Sequence, residues 1–150
     1  MPMPAVLTAR SLAEVPGVRD AVAAAMAQAG YSPRDIDAVR LGLEEALVNA
    51  IEHGHGGDPA KQARLRYEVT AERVLAEVED EGAGFDPAQV PDPLVPEALG
   101  RDRGRGLLLI RHFMTWVRHN ERGNVIVLCK CRSAENTSRT GGPVFPLKGY

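Results

Sequence analysis

Between Glu81 and Gly106 the chain carries Gly82, Gly84, Pro87, Pro91, Pro93, Pro96, Gly100, Gly104 and Gly106. Proline lacks an amide hydrogen and fixes its φ, and glycine lacks the side chain that packing needs, so regular structure gives way there. A loop this long inside a compact domain is functional or disordered. The periodic segments therefore lie on either side of it. At 150 residues, 44% apolar and 25% charged, they have enough material for one soluble core.

Before the loop, Ala5 to Arg10 is short and apolar and reads as an edge strand. In Ser11 to Ala29, Val18, Val22, Ala25, Met26 and Ala29 recur at helical spacing, and Gly30 ends that helix. Ser32 reads as an N-cap, with Pro33 first in the helix and Asp35 in its first turn, opening a second helix that runs to about His53. Gly54, Gly56, Gly57 and Pro59 stop it. Ala63 to Thr70 and Arg73 to Asp80 alternate apolar and polar residues and predict an antiparallel hairpin. After the loop, Leu107 to Val117 reads as a buried helix. Val117 to Asn120 is a short strand, and Val125 to Cys131 another beyond the turn at Asn120 to Asn124. Residues 133–150 are polar and aperiodic and predict a disordered tail, leaving 1–132 as one domain.

The formal net charge of −2 hides a split. Residues 1–100 hold 17 acidic and 8 basic side chains, whereas 101–150 hold 3 and 10, most of the latter being arginines, Arg101, Arg103 and Arg105 among them. Such asymmetry marks a nucleic-acid or membrane tail, or a local anion site. Cys129 and Cys131 are too few for a zinc site and badly placed to bridge each other. No run of 18 apolar residues occurs, and Met1-Pro2-Met3-Pro4 does not read as a signal peptide, so a cytoplasmic protein with no membrane partner is expected.

Three constellations carry candidate chemistry. With about 100° per residue, Ile36, Val39, Leu43, Ala46, Leu47 and Ala50 cluster on one side of the second helix. Glu45, Asn49 and His53 form a polar stripe opposite, and Gly42 falls in the same stripe, where a missing side chain leaves room for close approach. The stripe either faces water or lines a site. Next, Asp80-Glu81-Gly82-Ala83-Gly84 places an acid at a strand end before two glycines. A carboxylate there accepts a hydrogen bond from an exocyclic amine, and the glycines admit a ring or phosphate near the backbone. Last, Gly104-Arg105-Gly106 runs directly into Leu107-Leu108-Leu109-Ile110, so free N–H groups and the positive end of a helix dipole meet arginine charge, an anion site. A Walker loop is excluded because no Gly-Lys-Ser/Thr occurs, and the spacing fits a dinucleotide fingerprint poorly. A metal site from His53, His55, Glu52 and Asp58 lacks a third ligand at firm spacing.

In this order the three constellations resemble the GHKL ATPase superfamily, and more narrowly its anti-sigma-factor serine kinases. Glu45 to Gly54 is similar to that family's N-box, Asp80 to Pro87 to its first glycine box, and Gly104 to Ile110 to its second. The resemblance extends over about residues 5–131. It implies an α+β fold, a two-layer sandwich with helices on one face of a mostly antiparallel mixed sheet. It implies ATP and Mg²⁺, with Asn49 holding the metal against the phosphates, Glu45 as the general base for a serine hydroxyl, and Asp80 on the adenine amino group. Gly82 and Gly84 would pass beneath the base, Gly104, Arg105 and Gly106 would close on the phosphates, and Ala88 to Arg103 would be the lid. His53 reads either as a phosphate neighbour or as an ordinary helix C-terminal histidine.

The implied activity is phosphorylation of a serine on an anti-anti-sigma (antagonist) protein, by a kinase that otherwise sequesters a sigma factor and so regulates transcription without touching nucleic acid. Such relatives dimerise. The alternative is a non-catalytic ATP-binding module that only binds partner proteins, against which the intact Glu45 argues. The chain departs from the family at Thr115-Trp116, where relatives often carry an acidic pair, and at Val125 to Leu128, where they often carry a hydroxyl.

Overall fold

A computed structural model describes residues 4–54, 58, 60–82 and 109–134. The lid, Gly84, Gly104, Arg105, Gly106, His55 and residues 135–150 lie outside the described residues. Strand β1 (Ala5–Ala9) passes through one 3-10 turn (Leu12–Glu14) into helix α1 (Val15–Gln28). Gly30 ends α1 at φ 81°, with Tyr31 N–H donating to Met26 C=O at 3.1 Å and Gly30 N–H to Ala27 C=O at 3.0 Å. These are the two bonds of a Schellman cap, and a residue with a Cβ would be strained at that φ.

Helix α2 (Pro33–Asn49) starts where its cap predicts: Ser32 is extended, and its Oγ accepts the Asp35 N–H at 3.2 Å. Its end differs from a plain helix. Ala50–Gly54 form a π-helical turn, which widens the last turn and carries the chain one residue past His53.

The hairpin β2 (Ala63–Val69) and β3 (Arg73–Glu79) forms as the alternation predicts, joined by a turn in which Thr70 N–H donates to Arg73 C=O at 3.0 Å. With β4 (Trp116–His119) and β5 (Val125–Cys131) they make a five-stranded sheet in the order β1-β2-β3-β5-β4, and every described pairing is antiparallel. β1 is an edge strand, as its length and position suggest.

The helix expected over Leu107 to Val117 is shorter. Its described residues end at 113, and Trp116 already belongs to β4. Pairing with β5 overrides the helical pattern: Thr115 N–H donates to Cys129 C=O at 2.7 Å, and Thr115 Oγ1 accepts the Cys131 N–H at 2.8 Å. Trp116 is half-buried, with the Arg118 guanidinium 4.7 Å above its ring.

Both helices pack on the sheet face carrying Val74, Ala76, Val78, Ile126 and Leu128. Val22 and Met26 of α1, and Leu43 and Leu47 of α2, are fully buried in that layer. Each such side chain contributes about 1.5–3 kcal/mol relative to exposure. The stripe assigned to the core from α2's periodicity is thus the face that docks on the sheet.

One buried acid sits in this frame. Asp35 is 1% exposed; its Oδ2 accepts the Ser133 N–H at 2.9 Å and its Oδ1 the Ser133 hydroxyl at 2.5 Å. The first residue of the expected tail is therefore pinned to the start of α2. Beside it Arg132 donates to the carbonyls of Ala29 (3.0 Å), Gly30 (2.6 Å) and Ala71 (3.3 Å) and stacks over Tyr31, a cation set at the C-terminal end of α1. Asp35→Ala leaves the Ser133 donors without their acceptor and should lower the unfolding free energy by about 1.5–3 kcal/mol, the range for a lost charge-assisted bond. Urea titration reads this as a lower midpoint at unchanged slope. An unchanged midpoint would contradict the assigned role of Asp35.

Candidate functional site

Asp80 is the first residue beyond β3. Its N–H continues the sheet ladder by one bond, to Asn124 C=O at 2.9 Å. The chain then turns on its own side chain: Asp80 Oδ1 accepts the Gly82 N–H at 2.8 Å, a local bond that holds the carboxylate in place. The half-buried Asp80 meets the π turn that ends α2 here. A Cβ placed on Gly54, the last residue of the π turn, would lie 2.6 Å from Asp80 Cγ, and one on Gly82 would collide with the Gly54 carbonyl. Both glycines are required by this approach of helix end to strand end. Gly54 thereby joins the first two constellations, which share no local spacing.

Glu45 and Asn49 lie one turn apart on α2 and are both half-buried, whereas His53 is exposed in the π turn. The stripe is not a plain solvent face. Gly42 is buried within it, and a Cβ there would lie 2.9 Å from Met114 Cε. The close approach anticipated at Gly42 is thus made by the methionine following the 109–113 helix. Burial pushes the Glu45 carboxyl above its ordinary pKa, and the negative charges of Glu44 and Glu52 raise it further. Glu52 stands seven residues on, two turns along the same face, a neighbour that the four-residue stripe did not single out.

Sequence reasoning also missed the far side of Asp80. Asn124 Nδ2 donates to Asp80 C=O at 3.4 Å, and Arg122 Nη2 donates to Gly82 C=O at 3.4 Å. These partners are 40 and 44 positions away in the chain, so no local pattern announces them. The two cysteines are both free; Cys129 is buried, which pushes its thiol up to about 11, and Cys131 is exposed.

The donor set admits a definite chemistry. An acid at a strand end accepts from an amine, and a carboxylate whose pKa burial raises, one turn from a carboxamide, is suited to receive a proton. Among the described residues no three His, Cys, Asp or Glu side chains gather into a metal cluster. A single amide oxygen such as Asn49's fits a hard cation that takes most of its ligands from water and phosphate.

Helices on one face of an antiparallel sheet, with the end of the second helix abutting a strand-end aspartate, agree with the comparison by sequence. The chain belongs to the histidine kinase-like ATPase domain family, whose model matches residues 8–130. It is similar to the serine-protein kinase RsbW of Bacillus subtilis (strain 168), at 28% identity over 113 residues, 71% of each chain. It is also similar to the serine-protein kinase RsbW of Listeria innocua serovar 6a, at 26% over 110 residues, 69% of this chain and 70% of the relative. The fold class and the family resemblance drawn from the sequence both hold.

Proposed function

We propose that the protein is an ATP-dependent protein serine kinase acting as an anti-sigma factor, which phosphorylates a serine of an antagonist protein and switches between that partner and a sigma factor. The observation that carries this reading is the contact of Gly54 with the Asp80 carboxylate, which sets the N-box helix against the first glycine box. The similarity to serine-protein kinases and the retained Glu45 favour transfer over binding alone.

In this reading Asp80 accepts a hydrogen bond from the adenine amine and so prefers adenine to guanine. Asn49 would hold Mg²⁺, which would neutralise phosphate charge when bound. Gly104, Arg105 and Gly106 close on the phosphates, with Arg101 and Arg103 adding charge. Glu45 takes the proton of the serine hydroxyl as its oxygen attacks the γ-phosphorus, and the bond to the bridging oxygen breaks with its electron pair leaving on ADP. The kinase domain comprises residues 1–132.

The direct test is incubation with γ-labelled ATP, Mg²⁺ and a candidate antagonist protein, reading label on a serine of that protein. Binding of ATP without any transfer would leave only the binding-module reading. The pH profile has a worked sign. Glu45 acts ionised, so transfer falls as pH drops through its raised pKa; Glu52→Gln removes one of the charges that raise it and should move the acid limb to lower pH. An acid limb unmoved or shifted upward would separate Glu52 from the base.

A further inference from the structure

Asp80, Glu81 and Gly82 lie past the end of the β3 ladder, whose last registered pair is Glu79 with Val125. A strand end that must present one carboxylate to a ligand needs support that the ladder no longer gives. Three bonds from the turn between β4 and β5 reach across to supply it: Asn124 C=O accepts the Asp80 N–H, Asn124 Nδ2 donates to Asp80 C=O, and Arg122 Nη2 donates to Gly82 C=O.

The turn itself is internally fixed. Gly123 sits at φ 76°, and its N–H donates to Asn120 C=O at 3.1 Å. The two asparagine side chains form a relay: Asn120 Oδ1 accepts the Val125 N–H at 3.1 Å, and Asn120 Nδ2 donates to Asn124 Oδ1 at 2.7 Å. Asn124 then passes its own Nδ2 to Asp80. Each carboxamide uses its oxygen on one side and its nitrogen on the other, so the orientation of Asn124 is set before it meets the strand end.

We propose that Asn124, assisted by Arg122, is a positioning residue for nucleotide selection, holding the Asp80 to Gly82 turn so that the Asp80 carboxylate faces the adenine amine. It rests on the ATP reading above and acts through Asp80. Asn124 carries the sharper test, because Asn124→Asp keeps an oxygen to accept from Asn120 and puts a charged acceptor in place of the nitrogen that donates to Asp80, so that oxygen faces the Asp80 carbonyl. Arg122 is exposed, and Arg122→Ala removes a single bond to Gly82 with little risk to folding.

Three measurements test the proposal. In the nucleotide-free protein, Asn124→Asp should speed hydrogen exchange at the Asp80 and Gly82 amides, and Arg122→Ala at Gly82; unchanged exchange in both overturns the support role whatever the ligand. In transfer assays Asn124→Asp should raise the KM for ATP about fivefold with kcat within about twofold, and reduce the preference for ATP over GTP, a split that plain destabilisation does not give. In a double-mutant cycle the KM effect should shrink to less than about twofold when Asp80→Asn is already present; equal effects in both backgrounds mean that Asn124 does not act through Asp80 and overturn the proposal. Wild-type protein that binds no ATP, despite the exchange result, refutes the nucleotide reading, and the selection role with it.

Discussion

Asp80→Asn is expected to weaken ATP binding about 100-fold while leaving the fold in place. The fold survives because the backbone bond to Asn124 is untouched and asparagine has nearly the same shape as aspartate where it meets Gly54. Binding suffers because Asp80 has two acceptor jobs in the proposed complex: Oδ1 receives the Gly82 N–H at 2.8 Å, and the carboxylate also receives the adenine amine. An asparagine has one acceptor oxygen and one donor nitrogen. If its oxygen keeps Gly82, a donor faces the adenine amine; if it turns to the adenine, a donor faces the Gly82 N–H. Either way one donor is set against another and a charge-assisted bond is gone, a loss of about 1.5–3 kcal/mol, which is roughly 10- to 150-fold in affinity. Calorimetric titration with Mg-ATP reads the loss, and the preference for ATP over GTP should fall in the same variant. Unchanged affinity would remove the adenine role of Asp80 and leave its bond to Gly82 as a purely local turn device.

Local signals were legible in the sequence, and long-range partnerships were not. The start of α2 follows from Ser32, Pro33 and Asp35 alone, because a cap uses only neighbouring residues. The β2 and β3 hairpin follows from alternation. The helix expected through Val117 stops at 113 because Thr115 and Trp116 are claimed by β5, a pairing that periodicity within the segment does not contain. Gly42 was rightly singled out as a point of close approach, but the approaching group, Met114, lies 72 positions away and carries no sequence mark. The surplus of arginine after residue 100 also divides by long-range partner. Arg118 lies over Trp116, Arg122 reaches Gly82, and Arg132 clamps the α1 terminus, so part of that charge is structural, although composition alone suggested a nucleic-acid or membrane tail or a local anion site. Glu45, Asn49 and Asp80 stand out in the sequence as residue types at a spacing. Glu52, Gly54 and Asn124 act through contacts that only the folded chain creates.

In the proposed kinase, Glu45→Gln should separate catalysis from binding. The side chain keeps its length and its half-buried position on α2, and loses only the ability to take up a proton. Mg-ATP affinity should stay within about twofold, because the adenine contact is assigned to Asp80 and the metal contact to Asn49. Replacing a charged group by a neutral one also relieves the repulsion from Glu44 and Glu52 that helps to raise the pKa of Glu45, so the variant should be no less stable than the wild type at neutral pH. Phosphotransfer to the antagonist should fall about 10²–10⁴-fold, the range that a positioned general base contributes. The loss should appear in kcat with KM for ATP little changed, the pattern of an interaction made only in the transition state. Binding of both partner proteins should persist, so the variant would still capture the sigma factor yet no longer release the antagonist by phosphorylating it. A fully active Glu45→Gln would place the base elsewhere. A variant that loses ATP binding and transfer together would make Glu45 part of the nucleotide or metal site, and the kinase reading would then need another proton acceptor.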